Sequence, residues 1–172
     1  AMYTWCVSIA VVVDGVPTIG AVYDPNAGEL FHGVSGAFAG VSQGAWVDDR
    51  PAKVKDVTDF RGGVLGVGFS HRSKPDEFTP FLHAVLSDGG MFYRNGSGAL
   101  MLCYVAAGRL IGYYEPHINS WDCIAAVAII EAAGGRCNRF LANDGMTRGN
   151  PIVAAGPSLY DRVVTATGKA IA

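Results

Sequence analysis

Residues 120–135 read SWDCIAAVAIIEAAGG, and this stretch carries the strongest structural and chemical signals in the chain. Its small and apolar residues predict a helix over 121–133, with Ser120 as the N-cap and Gly134 just after the last turn. Asp122 falls in the first turn, where backbone N–H groups and the helix dipole favour a carboxylate, so we expect it to be ionised at neutral pH. Two roles are open for Asp122: it supports its own helix, or it binds a metal ion.

Strands and helices alternate on both sides of this helix. Short apolar runs indicate buried strands, and apolar residues at helical spacing indicate helices that pack on them. This alternation is typical of an α/β arrangement. The predicted strands are Gly63–Phe69, Met91–Arg94, Leu110–Glu115, Arg136–Phe140 and Pro151–Ala155, and the further helices are Pro75–Leu86, Ser97–Ala107 and Pro157–Gly168.

The first fifty residues differ, because β-branched and aromatic runs alternate there with turn sequences. Asp14-Gly15 is a hairpin signal, and 24–28 (DPNAG) is a turn by composition. A β-meander is therefore expected, and its long apolar runs predict that both faces of the sheet are covered. The chain starts directly in the first strand, from which we expect a partial domain. The predicted strands are Thr4–Val13, Thr18–Tyr23, Glu29–Val34 and Gly36–Gly40.

The expected fold is an α/β (α+β) layered sandwich in one partial domain over residues 1–172. Residues 1–50 form the remaining part of an N-terminal antiparallel sheet, and residues 51–172 form the C-terminal part of alternating strands and helices. No linker composition separates the two parts.

Composition excludes several classes of function. The 172 residues are 50% hydrophobic, which is enough for one substantial core. The net charge is −2 and the 13 Lys and Arg residues are scattered, so nucleic acid is not an expected partner. No apolar stretch reaches the ~18 residues of a membrane span, and no signal peptide is recognisable. We expect a cytoplasmic protein whose four widely spaced cysteines are reduced.

Two further segments could contribute to a binding site. Gly96, Ser97 and Gly98 lie between a predicted strand and a predicted helix, where free N–H groups could bind an anion, although a plain strand-to-helix connection is the commoner role of such a turn. Glu115 ends a predicted strand that Pro116 closes, and α/β folds bind ligands at such strand ends. His117, Ser70 and Arg94 could also face this region, but none is chosen as a site residue.

Several motifs together resemble the C-terminal part of the inositol monophosphatase family. The Trp121-Asp122 pair, followed by small residues and the helix end at Gly134-Gly135, is specific to that family. Upstream, the order of the strands resembles the meander that follows the family's central metal motif, so the similarity extends over nearly the whole chain. The remaining matching segments are GSGAL (96–100), VAAGR (105–109), YYE (113–115), VSIA (7–10), GAVYDP (20–25) and ELF (29–31).

The resemblance implies Mg²⁺-dependent hydrolysis of a small phosphate ester such as inositol monophosphate, by attack of a metal-activated water. It implies that Asp122 is the catalytic metal ligand. It further implies that Gly96, Ser97 and Gly98 line the substrate pocket, and that Glu115 binds substrate hydroxyls. A homodimer without a nucleic-acid or membrane partner is expected. Histidinol phosphate and 3′(2′),5′-bisphosphate nucleotides are the alternative substrates within the superfamily.

The chain also departs from the family pattern. The family's Gly-Glu-x-Glu and Asp-Pro-x-Asp-Gly-Thr motifs, which supply most metal ligands, have no counterpart here. Asp24 is interpreted as a turn residue and not as a metal ligand. The N-terminal sheet is therefore expected to lack its first strands and covering helices. A non-catalytic truncated piece is the alternative, and we expect the 172 residues alone to be inactive.

Overall fold

The computed structural model of the protein describes residues 3–36, 40–169 and 171, and it contains two five-stranded sheets. The first sheet is an antiparallel meander in which strands adjacent in sequence are adjacent in the sheet. Its first hairpin turns at Asp14 and Gly15, which both have positive φ. The strands are β1 (Val7–Val13), β2 (Val16–Asp24), β3 (Glu29–Val34), β4 (Gly44–Val47) and β5 (Arg50–Pro51).

The second sheet is mixed. Its strands are β6 (Val64–Val67), β7 (Met91–Tyr93), β8 (Gly112–Ile118), β9 (Arg136–Cys137) and β10 (Asn150–Ala155). Strand β6 pairs in parallel with β7 and β8, and β10 pairs antiparallel with β8 and β9, so the order is β7-β6-β8-β10-β9. The α-helices of the described residues are α1 (Thr79–Ser87), α2 (Gly98–Ala106), α3 (Ile124–Ala132), α4 (Gly145–Arg148) and α5 (Pro157–Thr167).

The second sheet separates two hydrophobic cores. Helices α2 and α3 lie between the two sheets, and α1 and α5 cover the far face of the second sheet. Strand β10 contributes Ile152 and Ala154 to the core between the sheets, and Val153 and Ala155 to the core beneath α1 and α5. This division follows from the two-residue period of a strand. The predicted layered α+β fold is confirmed.

Helix α3 approaches the first sheet too closely for a side chain at one position of β2. A Cβ atom on Gly20 would contact the carbonyl oxygen of Ala125 in α3. On β3, a Cβ atom on Gly33 would lie 3.1 Å from the Cα of Ile129. Both contacts are with backbone atoms, so the absence of side chains from these two positions sets the distance between the sheet and the helix.

Several predicted element boundaries are wrong for local reasons. Strand β1 begins at Val7 rather than Thr4. Strand β9 ends at Cys137, and at the next residue the Asn138 backbone N–H still donates to the Val153 carbonyl at 3.2 Å. The Val153 N–H donates to the side-chain oxygen of Asn138 instead of its backbone carbonyl, and the Asn138 amide donates to the Pro151 carbonyl. The predicted helix from Pro75 begins instead as a 3₁₀ turn, Pro75–Glu77, ahead of α1. The strand predicted at Gly36–Gly40 includes residues 37–39, which lie outside the described residues.

Strand β8 continues through Pro116 to Ile118, although the sequence predicts that Pro116 ends it. The pairing with β10 is irregular at this point: Ile118 pairs with Asn150 and Glu115 with Ile152. Because the register shifts here, the strand accommodates a residue that has no N–H to donate. Glu115 therefore lies within a strand and not at its end.

The outward face of the first sheet is apolar and exposed, so the described residues do not themselves provide the cover on both faces that its apolar runs predict. Alternate residues of β1 point outward, and Ile9 keeps 63% of its surface accessible. The same face continues on β2 and β3. Its exposed side chains are Val7, Ile9, Val11, Val13, Tyr23 and Leu30. No helix in the described part of the chain combines the length and apolar character needed to cross a bilayer.

Candidate active site

A cavity of about 800 Å³ opens between the start of β1, the N-terminus of α2, the end of β8 and the loop that follows β6. All five residues selected from the sequence line this one cavity, although they come from three separate segments. The fold therefore brings the predicted site residues together. They are Gly96, Ser97, Gly98, Glu115 and Asp122.

Glu115 is held in a fixed position at the base of the cavity. The Tyr113 hydroxyl donates a 2.7 Å hydrogen bond to Glu115 Oε2, and only 8% of Glu115 is exposed. A Cβ atom on Gly68 would overlap both the Glu115 carboxylate and the Tyr113 hydroxyl. Only glycine therefore fits at this position, directly after β6. Burial raises the pKa of Glu115, while the Tyr113 hydrogen bond opposes that rise.

The turn before α2 presents backbone donors to the cavity. Gly96 has a φ of +95°, which favours glycine there. The Ser97 hydroxyl accepts from the Leu100 N–H at 3.4 Å, and the Ser97 N–H donates to Asn95 at 2.8 Å. Among the described residues, the N–H groups of Gly98 and Ala99 have no acceptor. Two unpaired donors at a helix N-terminus can bind an anion such as phosphate.

Asp122 faces the same cavity, but its local structure differs from the prediction. Residues 120–122 form a 3₁₀ turn and α3 begins only at Ile124, so Asp122 precedes the helix. Ser120 is not an N-cap, because its hydroxyl donates to the Met146 carbonyl at 2.7 Å. Burial raises the pKa of Asp122, whereas Arg72 and Asn119 lower it. Asp122 therefore does not lie in the first turn of α3, where the sequence predicts it.

The raised pKa of Glu115 makes a prediction about stability and pH. The folded state keeps the Glu115 proton to a higher pH than the unfolded state, where glutamate titrates at about 4.3. The contribution of Glu115 to the free energy of unfolding therefore falls as the pH rises above that value. We expect Glu115→Gln to become progressively more stable than the native protein over this range, until Glu115 is fully ionised.

Urea unfolding of both proteins from pH 4 to pH 8 tests this. Glu77→Gln is a control of opposite sign, because the backbone N–H of Lys74 holds the pKa of Glu77 below its usual value. Relative to native, that variant should lose stability as pH rises. If the difference in stability between Glu115→Gln and the native protein does not change with pH, the pKa of Glu115 is not raised in the folded protein.

Known proteins share this sequence pattern and this fold. A sequence profile of the inositol monophosphatase family matches residues 2–172. The chain belongs to this family. Family membership covers both sheets and every residue of the candidate site.

Relatives with different names share this part of the sequence. The Nus factor SuhB of Pasteurella multocida is 37% identical over 161 residues, which cover 92% of this chain and 58% of that protein. The inositol-1-monophosphatase of Mycobacterium leprae is 35% identical over 167 residues, covering 94% of this chain and 55% of that protein. The chain thus matches less than two thirds of each relative.

Solved structures of the family have the same fold. The extragenic suppressor protein suhB of Bartonella henselae superposes with a TM-score of 0.83 at 29% identity, covering 98% of this chain and 64% of that one. Mycobacterium tuberculosis SuhB gives a TM-score of 0.80 at 31% identity, covering 96% of this chain and 64% of that one. The fold is therefore shared at sequence identities near 30%.

The described residues do not form a complete metal site of the family type. No group of three or more His, Cys, Asp or Glu side chains converges within the described ranges. Asp122 and Glu115 are the acidic residues that line the cavity. Mg²⁺ requires about six oxygen ligands, so these residues alone do not hold it.

Sequence reasoning missed part of the cavity wall. Thr4, Trp5 and Cys6 precede β1 and line the cavity, with Cys6 Sγ 3.9 Å from Ser97 Oγ. Ser70, Arg72 and Arg94 are not among the predicted site residues, yet all three line the cavity. The only available signal was a polar loop directly after a buried strand.

The remaining candidates lie elsewhere or act structurally. His117 is part of β8 rather than a loop, and its Nε2 lies 3.0 Å from the Arg148 carbonyl oxygen. Asp24 Oδ1 accepts from the N–H groups of Asn26 and Ala27, which confirms its role in a turn.

Proposed function

We propose that this protein is a metal-dependent phosphatase that hydrolyses a small phosphorylated polyol such as inositol monophosphate. The observation that carries the proposal is the single cavity shared by Asp122, Glu115 and the donors that begin α2, in a chain of the inositol monophosphatase family. An anion-binding helix end opposite two carboxylates is the arrangement that a phosphate ester and a cation require together.

Each group has a distinct role in this proposal. The free N–H groups of Gly98 and Ala99 bind the phosphate, with Gly96 and Ser97 shaping the turn that exposes them. Asp122 is one ligand of a Mg²⁺ ion whose other ligands come from outside the described residues. When bound, Mg²⁺ would supply electrophilic activation of the phosphoryl group and an acidified water.

Glu115 contacts the alcohol portion of the substrate. One carboxylate oxygen accepts from Tyr113, and the carboxylate has further acceptor capacity for substrate hydroxyl groups. A buried acceptor discriminates strongly between an alcohol that can donate to it and one that cannot, because the unpaired carboxylate would remain desolvated. Histidinol phosphate and 3′(2′),5′-bisphosphate nucleotides are alternative substrates that the same cavity could admit.

A second candidate is that the 172-residue chain is a non-catalytic piece. The lack of a three-residue metal-binding cluster within the described ranges favours it. Under either candidate we propose that this chain alone does not turn over phosphate esters. The family resemblance further supports a cytoplasmic homodimer, and the net charge of −2 disfavours a nucleic-acid partner.

Glu115→Gln tests the substrate assignment. We expect kcat/KM for inositol monophosphate to fall about 10- to 100-fold, because a charge-assisted hydrogen bond contributes about 1.5–3 kcal/mol. For an aryl phosphate without hydroxyl groups the loss should stay within about threefold. The measurement is phosphate release by the polypeptide that the whole gene encodes, in the presence of Mg²⁺.

Glu131→Gln is the matched control, because Glu131 lies outside this cavity and the substitution makes the same chemical change. It should leave both rates unchanged. If Glu115→Gln loses activity equally on both substrates, Glu115 does not bind the alcohol portion of the substrate.

A further inference from the structure

Two glycines at the end of β6 make room for the side chain of one tyrosine. Gly66 and Gly68 are two residues apart, and the Gly68 N–H donates to the Tyr114 carbonyl at 2.9 Å, so strand pairing continues to this point. The two glycines therefore share one face of the strand. A Cβ atom on Gly66 would lie 2.9 Å from Tyr113 Cδ2, and one on Gly68 would overlap the Tyr113 hydroxyl. The absence of side chains from this face leaves the space that the Tyr113 side chain fills.

A second backbone segment approaches the same hydroxyl. A Cβ atom on Gly98, at the start of α2, would lie 3.3 Å from the Tyr113 hydroxyl oxygen and 3.5 Å from Glu115 Oε2. Tyr113 is fully buried, and its strand β8 is paired with β6 on one side and with β10 on the other. The Tyr113 ring thus lies on a central strand against backbone from two further elements, which fixes the position of its hydroxyl.

The Tyr113 hydroxyl fixes the orientation of one carboxylate. Its partner among the described residues is Glu115 Oε2, at 2.7 Å. Glu115 Oε1 accepts no hydrogen bond in the described part of the chain, yet it is not enclosed, and Glu115 lines the cavity. The last torsion of a glutamate side chain is broad and roughly two-fold, so a carboxylate without a partner turns freely. The Tyr113 bond removes that freedom and leaves Oε1 as the free acceptor.

We propose that Tyr113 is a positioning residue for substrate recognition, which holds Glu115 so that Oε1 is the acceptor offered to a hydroxyl group of the substrate. This inference rests on the proposed phosphatase function and deepens it. A side chain that is ordered before binding does not have to be immobilised by the substrate, and this ordering corresponds to about three- to tenfold in affinity.

Tyr113→Phe removes the hydrogen bond and keeps the ring. We expect the KM for inositol monophosphate to rise about three- to tenfold while kcat changes less than about twofold, because the substrate hydroxyl is bound equally in the ground state and the transition state. For an aryl phosphate without hydroxyl groups, both constants should stay within about twofold of the native values. The measurement is steady-state hydrolysis by the polypeptide that the whole gene encodes, in the presence of Mg²⁺.

Tyr114→Phe is the matched control, because it makes the same chemical change at the next residue of β8. The Tyr114 side chain belongs to the core beneath α1 and α5, and its buried hydroxyl has no hydrogen-bond partner within the described ranges. Its removal should leave the kinetic constants for both esters unchanged.

A double-mutant cycle separates positioning from direct substrate binding. If Tyr113 acts through Glu115, Tyr113→Phe has nothing to position once the carboxylate is absent. Adding Tyr113→Phe to Glu115→Ala should therefore leave the KM for inositol monophosphate at the value of Glu115→Ala alone.

Each contrary result has a distinct meaning. An unchanged KM for inositol monophosphate in Tyr113→Phe overturns the positioning role and leaves the phosphatase function in place. An equal rise in KM for both esters also overturns it, because Tyr113 would then support the cavity as a whole. A further rise in KM in the Glu115→Ala background would show that Tyr113 acts without Glu115, which again overturns the inference. If the native protein hydrolyses neither ester, the proposed function is wrong, and the positioning role with it.

Discussion

Asp122→Asn is expected to reduce Mg²⁺-dependent phosphatase turnover at least about a hundredfold while leaving the fold intact. Asparagine has the size and polarity of aspartate, but it lacks the charge that a hard divalent cation requires from its ligands. A hundredfold loss corresponds to about 2.7 kcal/mol of transition-state stabilisation, well within what a correctly placed metal ion contributes. The assay is hydrolysis of inositol monophosphate by the polypeptide that the whole gene encodes.

The control is Asp144→Asn, at an exposed turn before α4 that lies outside the cavity. Its turnover should equal that of the native protein, and the melting temperatures of all three proteins should agree within a few degrees. Titration of the 172-residue chain with Mg²⁺ by calorimetry should show no tight binding, because no three ligating side chains converge within the described ranges. Full activity of Asp122→Asn would remove Asp122 from the metal site.

Gly20→Ala is expected to destabilise the protein by about 3 kcal/mol or more, or to prevent folding. The added methyl group would overlap the Ala125 carbonyl oxygen, and neither backbone can move without separating α3 from the first sheet. Overpacking of this kind ordinarily costs ~1–3 kcal/mol, and two rigid backbones leave little room for relief. A loss of 3 kcal/mol lowers the melting temperature by about 6–12 °C in a domain of this size.

Gly36→Ala is the control, in the bend that follows β3. A Cβ atom there would lie 3.6 Å from Thr18 Cγ2, an ordinary van der Waals distance, and Gly36 has no positive φ. Its melting temperature should change by no more than about 2 °C. If Gly20→Ala melts like this control, α3 does not pack on β2 as described.

The sequence predicts the elements of this fold better than it predicts their ends. The spacing of apolar residues is sufficient to identify the meander and the alternating C-terminal part, because packing against several layers of structure requires apolar side chains at that spacing. The start of α3 could not be predicted, because the Ser120 hydroxyl contacts Met146, a residue distant in sequence. Likewise, Pro116 does not end β8, because the register shift opposite it depends on β10. Both differences arise from tertiary contacts that no local pattern contains.

The candidate site shows a similar limit. The resemblance selects Asp122, Glu115 and the turn at Gly96 because they occur in specific motifs. It does not select Arg72, since a polar loop residue carries no signal about the direction of its side chain. Cys6 was missed for a related reason: the predicted strand included it, whereas β1 begins one residue later and leaves it at the cavity.

The side chains of β8 point alternately into the two hydrophobic cores, and this alternation affects which strand register can form. Tyr113 belongs to the core between the sheets and Tyr114 to the core under α1 and α5, so Glu115 reaches the cavity in only one of the two possible strand orientations. A one-residue slip would place its carboxylate among Phe81 and Leu159, where transfer of an unpaired polar group costs several kcal/mol. The residue proposed to recognise the substrate thus also penalises the mispaired sheet, and selection for substrate binding at this position would preserve correct strand register as a by-product.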